Sequence, residues 1–101
     1  MKEYSILISQ TAYFQIVDAV QFVNNVSSDA AKDLYNDIMS SINSLKEMPE
    51  RCPVVDYLKL PTGETRKLLL CKGRYVILFS IVKDKVNINY FIDTRKEHYF
   101  L

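Results

Sequence analysis

The chain is 101 residues long, 49% hydrophobic and 25% charged, with only two Gly and three Pro. Such a composition suits a single compact domain over residues 1–101 and excludes a disordered or low-complexity chain. The formal net charge of +1 hides an asymmetry: residues 1–48 carry three basic against six acidic side chains, and residues 49–101 carry ten against six. The second half therefore reads either as a footprint for a polyanion or acidic protein segment, or as an unevenly charged solvated surface.

No segment approaches the roughly 18 apolar residues that span a bilayer, so no membrane partner is expected. The opening Met-Lys-Glu-Tyr lacks the apolar run of a secretory signal, which points to a cytoplasmic location. Cys52 and Cys71 form no CxxC pair and have no neighbouring His. They read as reduced thiols, with a disulfide as the alternative; a zinc site, which needs about four ligands, is not expected. A chain this short buries a modest share of its surface, so modest stability is expected unless a partner covers it.

Residues 4–8, Tyr-Ser-Ile-Leu-Ile, form a β-prone run that Ser9 can end while capping a helix after it. Over residues 10–25 the spacing turns helical, with Ala12, Ile16, Ala19 and Val23 on one side and Gln15, Asp18 and Gln21 on the other. Ser27-Ser28-Asp29 supplies a new cap and a first-turn acid. A second helix is predicted over residues 29–47, with Leu34, Ile38, Ile42 and Leu45 as its stripe and Pro49 as its stop. The short link between the two predicts an antiparallel helical hairpin.

Residues 49–63 hold all three prolines and read as a structured connector with a short extended piece at Val54-Val55. Strand character dominates residues 65–71, 75–82 and 86–92. The middle run, Tyr-Val-Ile-Leu-Phe-Ser-Ile-Val, is nearly all apolar and is expected at the centre of a sheet, covered on both faces. Lys83-Asp84-Lys85 makes a tight turn into the last strand, which should pair antiparallel with the middle one. The predicted fold class is α+β in two layers, β-α-α-β-β-β, with an antiparallel sheet covered by the helical hairpin and the first strand at an edge. The expected core is Ile16, Val20, Leu34, Ile38, Leu45, Ile77, Phe79 and Ile88.

Four stretches carry a family resemblance. Tyr4-Ser5-Ile6-Leu7-Ile8-Ser9-Gln10-Thr11-Ala12 resembles a Y-x-I-x-I-S-x-x-A opening. Ile42 to Arg51 is close to I-x-x-L-x-x-F-P-E-R, with Met48 at the aromatic position. Gly73-Arg74-Tyr75-Val76-Ile77-Leu78-Phe79 is similar to G-R-Y-R-V-L-Y, and Ile88 to Arg95 resembles a last strand that runs into a basic residue. In order along the whole chain, these stretches resemble the RelE/ParE superfamily of bacterial toxins. The resemblance implies the toxin of a type II toxin–antitoxin system, neutralised by a cognate antitoxin protein and acting without a cofactor or metal.

The superfamily divides by target. RelE-like and YoeB-like members cut messenger RNA on the ribosome, whereas ParE-like members lack the cutting residues and act on DNA gyrase. Metal-free RNA cleavage needs a group to activate the ribose 2′-hydroxyl, cations to hold the phosphate and an acid for the leaving oxygen. Under that reading Arg74, Arg95, His98 and Tyr99 are the candidate catalytic residues; the alternative for the last two is a tail that packs back on the fold. Val76 stands where the family carries its central Arg, with Arg74 two residues earlier on the same strand face. Residues 10–25 contain no Lys or Arg, unlike the lysine-rich first helix of the nuclease branch. These departures favour a ParE-like inhibitor of DNA gyrase, for which Arg66, Lys67, Arg74 and Arg95 are the candidate target- or antitoxin-binding residues. A ribosome-dependent messenger RNA endoribonuclease stands as the alternative. Arg51 reads as a structural pairing residue after the second helix.

Overall fold

The computed structural model describes residues 3–60 and 63–96. In chain order the elements are β1 (Ser5–Ile8), α1 (Gln10–Asn24), α2 (Ser28–Ser44), a 3-10 turn (Pro49–Arg51), β2 (Val54–Leu60), β3 (Gly63–Leu70), β4 (Tyr75–Val82) and β5 (Lys85–Asp93). Both helices start where a serine can satisfy a first-turn amide. Ser9 Oγ accepts from Ala12 N at 3.0 Å and Ser27 Oγ from Ala30 N at 3.1 Å. At the other end of α2 the chain leaves the helix through Met48 in the left-handed region, φ 50°, before Pro49 opens the 3-10 turn. Arg51 closes that end: its Nη1 donates to the carbonyls of Glu47 at 3.0 Å and Met48 at 3.1 Å, and its Nη2 to Ser44 Oγ at 3.0 Å. A cation on carbonyls that follow the helix is the pairing role that the sequence suggested for Arg51, and the Met48 carbonyl also accepts the Arg51 N–H at 3.1 Å.

The sheet has five strands in the order β1-β5-β4-β3-β2. The expected two-layer α+β arrangement is present, and β1 is at an edge. Two features go beyond the expectation. β1 pairs with β5 in parallel, so one ladder of an otherwise antiparallel sheet is parallel. The extended piece expected at Val54-Val55 is a full strand, β2. It pairs Val54↔Arg66 and Val55↔Thr65, then shifts register before Leu60↔Gly63. Pro53 just before it and the irregular pairing are both tolerated because β2 is an edge strand.

β4 lies in the middle, and its alternation serves two faces. Tyr75, Ile77 and Phe79 point to the helices and share one core with Ala12, Ile16, Leu34, Ile38 and Leu45. Val76 and Leu78 point the other way and pack with Ile92 and Tyr90. Six successive β4 residues, Tyr75 to Ser80, are buried, as an apolar central strand requires. Every residue of the expected core is buried except Val20, which is partly buried against it. Apolar surface is left over on the helices: Tyr13, Phe14 and Phe22 of α1 are 57, 53 and 60% exposed.

Candidate functional site

At one end of the sheet the β3–β4 turn meets the end of β5. The turn is built from left-handed residues, Cys71 at φ 55°, Lys72 at 57° and Gly73 at 85°. Gly73 supplies the most extreme of these without a Cβ to strain. Arg74 N then donates to the Cys71 carbonyl at 3.1 Å and closes the turn. Buried Thr94 locks this turn to β5. Its N–H donates to the Arg74 carbonyl at 2.9 Å, and its hydroxyl lies 2.6 Å from the Gly73 carbonyl and 2.9 Å from that of Arg74. The backbones of Arg74 and Arg95 are thereby held side by side, with Lys72 and Lys96 in the same two segments.

The two guanidinium groups differ. Arg95 is bound to Asp93 through Nε–Oδ1 at 3.1 Å and Nη2–Oδ2 at 2.9 Å, and its own N–H donates to Oδ1 at 2.9 Å. These hydrogen bonds hold the Asp93 carboxyl below the usual aspartate range, against burial, which pushes it up. Arg74 is exposed, with its guanidinium carbon 5.9 Å from the Tyr75 ring centroid. Its donors have no carboxylate in ion-pair range among the described residues.

Arg66 and Lys67 are elsewhere. Arg66, opposite Phe79 in the ladder, is on the helix side of the sheet. Its Nη1 donates to the carbonyls of Glu50 at 3.0 Å and Cys52 at 2.7 Å, and Glu64 is 3.9 Å away. It pins the 3-10 turn to β3. Lys67 is on the opposite face and half-buried, in a shallow apolar cleft with Pro53, Leu68 and Leu69. His98 and Tyr99 lie outside the described residues. The structure thus brings together Arg74 and Arg95 and keeps Arg66 and Lys67 apart from them. Val76, next to Arg74 and Tyr75 on β4, is 0% exposed.

A groove of about 460 Å³, missed by the sequence reading, adjoins this end of the sheet between α1 and β5. Tyr75 and Phe91 stack in its lining with ring centroids 5.1 Å apart, and Lys96 Nζ is 5.6 Å from the Phe22 centroid. Gln15 Oε1 accepts from Phe91 N at 2.8 Å. In the sequence Gln15 is one more polar residue on the outer side of a helix, and nothing in its spacing signals that it reaches a strand. Both cysteines are free. Burial pushes each thiol up, and Asp37 adds to this at Cys71, so neither is primed as a thiolate. Among the described residues no cluster of three His, Cys, Asp or Glu could hold a metal ion, and no helix is long and apolar enough to cross a membrane.

No protein-family model matches the chain, and no curated protein matches it. Among solved structures, the chain is similar to one described as "Chromosomal ParDE TA system from P. aeruginosa". The TM-score is 0.69 at 16% identity, covering 90% of this chain and 96% of the other. At that identity the shared property is the path of the backbone, and it runs through nearly the whole of both chains. The chain therefore shares its fold with that ParDE-system chain.

Proposed function

We propose that the chain is the toxin of a type II toxin–antitoxin pair, held inactive by a cognate antitoxin protein, and that it inhibits growth in the cytoplasm by binding DNA gyrase without catalysis. The observation that carries this reading is the whole-chain likeness to a chain of a ParDE toxin–antitoxin system. Three features favour the inhibitor over the nuclease. Val76 buries an apolar side chain at the family's central cation position. Arg66 is engaged by main-chain carbonyls and Arg95 by Asp93, so neither guanidinium is free to clamp a phosphate. α1 offers no cationic side chain.

The second reading, a ribosome-dependent messenger RNA endoribonuclease, is favoured by one observation: Thr94 holds Arg74 and Arg95 next to each other, as two phosphate-binding residues would need. Induction in cells separates the two. The inhibitor reading expects filamentation and DNA-damage signalling with messenger RNA intact. Rapid arrest of translation with cleaved messenger RNA, lost in a His98→Ala/Tyr99→Ala double variant, would overturn it. Normal growth despite soluble expression would remove both readings.

A further inference from the structure

The basic side chains of residues 49–101 differ in what is left over for a ligand. Arg51 and Arg66 are spent on main-chain carbonyls, and Arg95 on Asp93. Lys67 is half-buried, and Lys83 and Lys85 flank Asp84 in the turn at the far end of β4. Lys72, Arg74 and Lys96 are different. All three are exposed, and none has a carboxylate in ion-pair range among the described residues. They come from two segments, the β3–β4 turn and the residues after β5. The Thr94 hydroxyl joins these segments, 2.6 Å from the Gly73 carbonyl and 2.9 Å from that of Arg74. Arg74 and Lys96 each rest against an aromatic ring, 5.9 Å from the Tyr75 centroid and 5.6 Å from that of Phe22. A ring face attracts a cation but offers its N–H groups no oxygen acceptor. The acids at this end are few: Asp93 is paired with Arg95, Asp37 Oδ2 is 4.0 Å from Cys71 Sγ, and Asp18 lines the groove that Lys96 also borders.

We propose that Lys72, Arg74 and Lys96 form a contact surface for the phosphate backbone of duplex DNA, so that the chain grips gyrase-bound DNA as well as the enzyme. The inference rests on reading the chain as an inhibitor of DNA gyrase, an enzyme whose own substrate is duplex DNA. Of the three cations only Lys96 borders the groove, so they do not converge there on one compact anion. Charges spaced over a turn and a strand end suit a repeating anion. A protein interface is built around apolar anchors, and residues 71–74 and 93–96 expose no large apolar side chain. Single-stranded nucleic acid is held by stacking bases on open rings. Tyr75, beside Arg74, is 3% exposed, and Phe22 already carries the Lys96 ammonium over its ring. A duplex backbone asks only for charge. The acidic excess of residues 1–48, six acidic side chains against three basic, opposes binding through the helices and orients the chain basic end first.

The test follows the fluorescence anisotropy of a labelled DNA duplex of about 20 base pairs, titrated with the full chain at several salt concentrations. Three phosphate contacts predict a slope of log K against log salt of about −2.7, a loss of about 40-fold between roughly 50 and 200 mM. Lys72→Gln, Arg74→Gln and Lys96→Gln should each reduce the steepness by about 0.9, and the triple variant should show almost no salt-dependent binding. Lys83→Gln/Lys85→Gln, at the other end of β4, should leave the slope as it is. Absence of binding at low salt, or a slope that the triple variant leaves unchanged, would overturn the proposal. So would tighter binding of a single-stranded RNA or of a poly-glutamate peptide, which would assign these cations to RNA or to an acidic protein segment. Failure of the DNA contact while induction still causes filamentation and DNA-damage signalling would remove this surface alone. Normal growth on induction would remove the gyrase reading and the proposal with it.

Discussion

Arg51 and Arg66 near the 3-10 turn, and Arg74 and Arg95 at the end of the sheet, look alike in sequence and differ in what they touch. The first two point their donors into main-chain carbonyls. Arg51 closes the end of α2, and Arg66 joins the turn at Glu50 and Cys52 to β3. The second two sit where segments cross: one is tied to a neighbouring aspartate, and the other lies on an aromatic ring in solvent. A guanidinium whose donors are satisfied internally stabilises the fold and has little left for a ligand. One left in water contributes little to stability and can meet a partner.

The sharpest test is Arg66→Ala, which leaves two carbonyls without their charged donor. It should cost about 2 kcal/mol in chemical denaturation, the range for hydrogen bonds to charged groups. Arg66→Lys should recover only part of this, because an ammonium lacks the guanidinium's fork. A loss no larger than that of an ordinary surface substitution would break the comparison. Arg51→Ala comes next, at about 1 kcal/mol for a lost helix-end cap, with the fold retained; thermal unfolding measures it.

Asp93→Asn sharpens the other side, and its effect depends on pH. Because Arg95 holds the Asp93 carboxyl low, the pair contributes stability that is complete above the ordinary aspartate pKa and lost as pH falls through the folded value. Wild type should therefore exceed the variant at pH 7, and the gap should close below about pH 4. A gap that widens in acid would contradict the pairing. The smallest change is expected for Arg74→Ala, within about 0.5 kcal/mol of wild type. If Arg74 meets a target, the same variant should still lose growth inhibition on induction. Unchanged toxicity would take Arg74 out of the target-binding set.

Much of the fold was legible because its determinants are local. Ser9 and Ser27 each precede a helical run and offer a hydroxyl to a first-turn amide, so both helix starts could be read to within a residue. The unbroken apolar run from Tyr75 marked β4 as central because only a strand covered on both faces tolerates it. β2 was less visible. Between Pro53 and Pro61, Asp56 and Lys59 interrupt its apolar residues, and its pairing with β3 slips after Val55. An edge strand held by one neighbour needs no strong pattern of its own. The candidate site was legible only as residue types, since a list of arginines does not say which of them find carbonyls.

By itself the sequence determined the two amphipathic helices, their caps, the central strand and the order of layers, since periodicity and capping act over a few residues. Only the tertiary structure decided that β1 runs parallel to β5, that Arg66 faces the helix side while Arg74 and Arg95 meet through Thr94, and that Gln15 finishes the edge of β5. Each of these joins residues far apart in the chain, and hydrogen-bond partners are chosen by which backbone groups the packed core leaves within reach.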